Sequence, residues 1–440
     1  MNMNINNGDK KQVGFWTITS LVSGNLIGSG VFLLPVTLAV FGSISLLGWV
    51  VTSIGAVFLS LVFAKLGAST IKTGGPHVYV RQAFGDTAAY YVAWCYWVLS
   101  WISNVALISA VVGYLHIFLG GLSPLQTLAI ELGIIITFTS INLLGIKVAG
   151  RLEIILTVLK LLPLLLVPMF GVFQVQWDNF SPFNATGHSS SSAFFMVMFF
   201  TIWAFVGLES GTVPSEEIKN PSKTIPRATI AGTSLAALVY LLGTVTIIGV
   251  VPRQMLLQST APYADLATLV FGGNWSIWIA TAAILCILGT YNGWTLVVSR
   301  IAYGAAQDGL FPRFFKKKTK TGAPLWGILV SSSCTMCVVL LTVSGGLAQQ
   351  FSYVVDIAVT SILLIYLLCI FAYVKSIVLT KHLTFGNVLI ALGAFSFNLL
   401  AIWAADLKML LLSIILVLCG IPMRCFMQYQ YGLRMGKCSV

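Results

Sequence analysis

The sequence predicts an all-α membrane protein of twelve transmembrane helices, two of them interrupted, and three observations predict it. Of 440 residues 58% are hydrophobic and only 8% charged, a balance that excludes an ordinary soluble domain. Apolar stretches of roughly 20 residues, the length a bilayer core requires, recur at about 14–37, 42–68, 87–119, 125–146, 152–174, 192–213, 227–251, 274–304, 325–346, 350–374, 384–404 and 406–424. With the N-terminus cytoplasmic, alternation puts 21 of the 24 Lys and Arg on one side, leaving Arg253 and Lys408 opposite and Lys160 inside a span. One missed span would swap the sides downstream, so this bias supports the count.

Both termini are then expected on the cytoplasmic side, and the net charge of +12 follows from the sorting, with no nucleic-acid surface required. The run Lys316-Lys317-Lys318 faces anionic lipid or is simply a solvated loop. No soluble domain fits between the spans, so residues 1–440 read as one transmembrane domain. The first apolar segment lacks a nearby small-residue cleavage site and reads as retained. None of the eight cysteines has a plausible oxidised partner, and Cys334-x-x-Cys337 lies in an apolar helix with no second pair. No metal and no cofactor are expected. Asn184-Ala-Thr186 is a glycosylation acceptor only in a eukaryotic secretory cell.

Span one carries Ser23-Gly24-Asn25-Leu26-Ile27-Gly28-Ser29-Gly30-Val31 near its middle. Glycines and small polar residues there predict a broken helix, tolerated in lipid only where it lines a protein cavity. Such a break frees N–H groups that favour an anion and carbonyls that favour a cation, the two ends of an amino acid. Span two is uniformly apolar, with Gly48 and Gly55 for close packing. The loop after it, with Gly74-Gly75-Pro76, predicts a tight turn and a short amphipathic helix. In span three, Tyr96, Ser100, Ser103, Asn104 and Leu107 share one face. Ser123-Pro124 caps span four, and span five holds Lys160 about ten residues in, too deep to snorkel easily at ~1.5 Å per residue.

Span six is the second interrupted element, Trp203-Ala204-Phe205-Val206-Gly207-Leu208-Glu209-Ser210-Gly211. The two breaks lie five spans apart. Five is odd, so spans 1–5 (14–174) and 6–10 (192–374) run in opposite senses, the pattern of an inverted 5+5 repeat with a midplane site. Spans 11 and 12 (384–424) fall outside it. Span eight carries Gly289-Thr290-Tyr291-Asn292-Gly293-Trp294 and ends in Asp308-Gly309-Leu310-Phe311-Pro312, and span ten carries Asp356 and Tyr366.

These motifs, with Phe84-Gly85, Trp101-Ile102, Lys219-Asn220-Pro221, Pro226 and Thr295, resemble the amino acid–polyamine–organocation superfamily. Within it the chain is most similar to the bacterial basic amino-acid/polyamine antiporters, such as the arginine/agmatine and lysine/cadaverine exchangers. The resemblance implies a fold of the leucine-transporter type with discontinuous helices 1 and 6. It places the substrate carboxylate on amides around Ser29, Gly30 and Val31, and the amine near carbonyls of Leu26, Trp203 and Val206. Trp203 and Trp294 would close over the substrate, Tyr96, Glu209 and Tyr366 would form a gate, and Asn104 would reach the far end of its side chain, on the face shared with Ser100. Ala204 and Ala358 stand where the arginine exchanger has serines, which points to a shorter or less polar side chain. Lys160 resembles the lysine that proton-coupled and exchange-type relatives place where sodium symporters hold sodium.

Each reading has a plainer rival. Gly28-Ser29-Gly30 would also serve helix packing, and Trp294 would also serve lipid-facing packing rather than a cation–π platform. Glu209 is costly in the membrane unless paired or protonated, so it titrates and gates, or it bonds a tyrosine for structure. Lys160 acts as a cation mimic bracing the break, or couples transport to protons by losing its charge. Glu131 and Asp356 attract cationic substrates, or merely snorkel. The expected function is alternating-access exchange of a basic amino acid or its amine in a bacterial inner (plasma) membrane, with substrate and lipid as partners. The alternative is a proton-coupled symporter of neutral amino acids. A channel lacks its continuous polar pore, a sensor its soluble domain, and a primary pump its phosphate loop. A homodimer is compatible with the sequence, which leaves the oligomeric state open.

Overall fold

A computed structural model describes residues 13–28, 30–119, 121–259, 261–342, 347–425 and 427–428. Helix dominates, and among the described residues the extended pairings are two isolated bridges, Val13 with Ile218 and Lys318 with Pro324. The first apolar stretch is split into α1 (Phe15–Leu26) and α2 (Gly30–Ala39), whose axes differ by 51°. Then come α3 (Ile44–Ser69), α4 (Pro76–Leu119), α5 (Pro124–Leu143), α6 (Ile146–Gly171) and α7 (Ser190–Ile202). The remainder is α8 (Pro221–Val250), α9 (Arg253–Gln258), α10 (Pro262–Phe271), α11 (Ser276–Gln307), α12 (Leu325–Thr342), α13 (Leu347–Leu379), α14 (Phe385–Trp403) and α15 (Leu407–Leu418).

Among the described residues ten helices are long and apolar enough to cross a bilayer, and the bent pair α1–α2 makes eleven. Of the ninth expected span, the apolar helix Leu325–Leu341 is described, and residues 343–346 lie outside the described residues. The protein is therefore an all-α, multi-pass membrane protein. Outward faces are apolar: Leu159, Leu162, Leu166 and Phe173 of the α6 region and Leu411, Ile414 and Ile415 of α15 are exposed, as lipid requires. α11 is the most enclosed span, with 72% of its apolar window buried, whereas α15 has 17%. The core therefore lies around α11, with α15 at the edge.

Local chemistry explains the ends and bends. Ser123 Oγ accepts from Gln126 N while Gln126 Oε1 accepts from Ser123 N, and Pro124 follows, so α5 begins with a reciprocal cap. Gly85, at φ +83°, bends α4 and separates the short helix after Gly74-Gly75-Pro76 from the third span. The second interruption is larger than a kink. α7 stops at Ile202, Gly207 adopts φ +113°, and the chain runs through short 3₁₀ turns from Trp203 to Glu217 before α8.

Loops sorted to one side by counting spans meet one another. At one end, Lys219 N donates to Val13 O, Val13 N to Glu217 O, and Gly74 N to Val213 O. Arg300, itself buried, forms a two-pronged pair with Glu217. Asp308 gathers Lys72, Arg81 (2.8 Å) and His77 (3.5 Å). At the other end, Ser43 N and Ile44 N donate to Pro182 O and Phe183 O, and Arg253 Nε donates to Ala39 O.

Burial alone would raise the Asp308 carboxyl, but its bonds to His77 and Lys72 outweigh that and hold it below the usual carboxylate range. Asp308→Asn should therefore cost on the order of 2–3 kcal/mol and lower the melting temperature by several degrees at neutral pH. A depressed pKa stabilises above the unfolded value and loses that contribution as pH falls through the folded one, so the gap between the two proteins should close on acidification below the ordinary carboxylate value of 3.8.

Candidate functional site

The break in span one is held open from below. Lys160 Nζ, fully buried on α6, donates to Gly24 O (2.7 Å) and Ile27 O (2.8 Å). Thr290 Oγ1 on α11 donates to the same two oxygens at 2.8 and 3.0 Å. These carbonyls belong to the last turn of α1, where no helical N–H follows to take them. Tyr240 on α8 completes the set: its hydroxyl donates to Leu26 O (2.6 Å) and Ala204 O (3.0 Å), tying one interruption to the other.

A cavity lies between the two interruptions. Asn25, Leu26, Gly28 and Gly30 line it from the first span, and Tyr96, Leu99, Ser100, Ser103 and Leu107 from α4. Trp203, Ala204 and Val206 come from the unwound segment after α7, Thr290 and Trp294 from α11, and Ala358 and Ile362 from α13. On one wall α2 begins at Gly30, so its first N–H groups lack helical acceptors and favour an anion. Trp203 packs close to Gly30, where a Cβ would stand 3.4 Å from its ring. Trp294 packs on Gly207, where a Cβ would stand 3.0 Å from the indole. Asn25 keeps both polar side-chain atoms buried without a hydrogen-bond partner among the described residues.

Beneath Trp294 lies a carboxylate bridge. Tyr96 Oη donates to Glu209 Oε1 (2.7 Å), and Tyr366 Oη donates to Glu209 Oε2. The Tyr96 ring meets Trp294 edge to face at 6.5 Å. Three spans are thus joined through Glu209, which is wholly buried. The hydroxyls let a carboxylate sit there, since each supplies a donor that lipid lacks.

A profile of the amino acid permease family matches residues 13–426. The chain belongs to that family. This places it in the amino acid–polyamine–organocation superfamily, as its motifs imply. A protein of Bacillus subtilis (strain 168) provisionally named an arginine/ornithine antiporter is 30% identical, over 96% of this chain and 98% of its own. The putrescine transporter PotE of Escherichia coli (strain K12) is 31% identical over 82% of this chain and 83% of its own. The cadaverine/lysine antiporter of the same strain is 32% identical over 81% and 82%.

Of the residues singled out in this permease from sequence, Leu26, Gly30, Ser100, Trp203, Val206 and Trp294 line the cavity, and so does Tyr96. Glu209 and Tyr366 sit directly below it and Lys160 behind the break. Ser29 lies outside the described residues. Val31 is buried and Asn104 lies one turn beyond Ser100, neither lining the cavity. Glu131 is buried and lies 3.5 Å from Ser109 Oγ, so it faces the bundle rather than an entrance. The side chain of Asp356 is outside the described ones. Sequence reading gives Asn25 and Thr290 no role and passes over Tyr240 and Glu153. Glu153, Thr157 and Lys160 stand at i, i+4 and i+7, one helix face, which is a signal the sequence does carry. Tyr240 leaves none, being a single aromatic in an apolar span.

Gly207 tests the second interruption. Gly207→Ala forces a side chain into a left-handed backbone and against Trp294. It should destabilise by about 1–3 kcal/mol and lower transport at least tenfold, read by melting temperature and by uptake into proteoliposomes.

Proposed function

We propose that this permease exchanges a basic amino acid for an amino acid or amine of the same class, by alternating access, in a bacterial inner membrane with both termini cytoplasmic. The observation that carries the reading is the cavity between two interrupted helices, with N–H groups of α2 on one wall and the acid Glu209 below. The named activities of the relatives, arginine/ornithine, putrescine and cadaverine/lysine, support the substrate class. The substrate carboxylate rests on amides around Ser29, Gly30 and Val31. The amine approaches carbonyls of Trp203, Val206 and Leu26, whose second lone pair remains beside Tyr240. Asn25 offers polar contacts, with Asn104 one turn beyond the cavity towards the far end of the substrate's side chain; Trp203 and Trp294 close over the molecule, and the Tyr96–Glu209–Tyr366 bridge is the gate that must part.

Spans 1–5 and 6–10 form the two oppositely oriented halves that rock about this site. Lys160 occupies the position of a bound cation, gripping the carbonyls of Gly24 and Ile27 so that the break keeps its shape. Lipid surrounds the bundle, and the outer faces of α14 and α15 are compatible with a second copy.

Proteoliposomes decide the function. Uptake of labelled arginine, lysine or putrescine should require unlabelled substrate inside; uptake into empty vesicles driven by a pH gradient would instead establish proton symport. Lys160→Met should lower exchange by at least about tenfold, the scale of a lost buried charge-assisted contact. Unaltered exchange would remove the cation-mimic role. Glu209→Gln should change the rate or its pH profile while the protein still folds, and a wild-type profile at every pH would exclude the gate.

A further inference from the structure

Glu153 is a buried acid that none of the steps above uses. Its Oε2 accepts from Asn292 Nδ2 (2.8 Å), and its Oε1 lies 3.5 Å from Thr157 Oγ1. Two glycines, Gly24 and Gly293, make room for it, and Gly289 lies beside Lys160. A Cβ on Gly24 would collide with Glu153 Oε1, while the carbonyl of the same Gly24 accepts from Lys160 Nζ. On α11, a Cβ on Gly289 would stand 3.8 Å from Lys160 Nζ, and one on Gly293 would stand 3.3 Å from Glu153 Cδ. The acid and the ammonium therefore face positions one helical turn apart, about 6 Å along α11. Asn25, which lines the cavity, presses on the same Gly293, and Thr290 and Trp294 line the cavity from neighbouring positions of that helix.

A glutamine would accept the Asn292 bond equally well, so the hydrogen bonding does not account for a carboxylate. Charge does. A lysine one helix wall behind the cavity repels a cationic substrate unless an acid cancels its field. We propose that Glu153 is the fixed counter-charge of Lys160 and, through that cancellation, a determinant of the permease's acceptance of cationic substrates. This rests on the exchanger reading for its substrates, but the placement of the two residues on either side of Gly24 and one turn apart along α11 does not depend on that reading. Neutral Glu153 leaves Lys160 as a lone positive charge, and the penalty then grows with each positive charge on the ligand.

The test is displacement of labelled arginine from the purified full-length chain in detergent by alanine, ornithine and putrescine, of net charge 0, +1 and +2. In Glu153→Gln the half-displacing concentration should rise by about tenfold for each unit of ligand charge, with alanine unmoved. In Glu153→Gln/Lys160→Met the charge order should return to that of the wild type. Equal shifts for all three ligands, or a double variant as poor towards putrescine as Glu153→Gln, would overturn the proposal. Melting temperatures of the four proteins give a second reading. Glu153→Gln should fall by more than about 5 °C, and the double variant should fall by less than the sum of the two single variants, because the second substitution removes the unpaired ion that the first leaves. If Glu153→Gln cannot be recovered folded, Glu153→Asp, which keeps the charge, must be, and its loss would count against the pair. Wild-type protein that binds no amine would defeat the exchanger reading, and the four melting temperatures would still decide the pair.

Discussion

The arrangement depends on one constraint: a helix interrupted inside a bilayer leaves carbonyls that only the protein can satisfy. Gly24 O and Ile27 O receive Lys160 and Thr290, and Leu26 O receives Tyr240. Donors from α6, α8 and α11 converge because the acceptors cannot be left bare at a cost of several kcal/mol each. Once that end of span one is held, α2 starts at Gly30 pointing a different way, and the room between becomes the cavity. The site is what remains after the broken helix has been satisfied.

The second interruption obeys the same rule with different means. Gly207, in a left-handed conformation, lets Trp294 press on the backbone, and Tyr240 takes Ala204 O while also holding Leu26 O. The two breaks are thus neighbours bound by one hydroxyl, and a displacement at either is felt at the other. Below them Glu209 joins Tyr96 and Tyr366, so the floor of the cavity is made of bonds that part without unfolding a helix. A floor of that kind suits a barrier that must open and reseal.

Buried charge is used sparingly and always with company. Lys160 has carbonyls, Glu209 has phenols, Glu153 has Asn292 and the nearby ammonium, and Arg300 has Glu217. The glycines beside these groups are as telling as the charges. Gly24 and Gly293 are small because Glu153 and Asn25 occupy the volume a side chain would take.

How much was legible follows from the range of each interaction. Apolar length and small polar breaks are properties of segments, so the sequence by itself determined an all-α membrane protein and the places where helices one and six fail. Glycine and small polar residues inside an apolar run announce a break wherever they end up packing. Motif order along the chain also determined the family. Only the tertiary structure decided which groups meet at the break. Tyr240 became part of the site because α8 passes within hydrogen-bond reach of both interruptions. Partners lying more than a hundred residues apart leave no periodicity to read, since their meeting is set by how the helices pack and not by anything local to either strand of text.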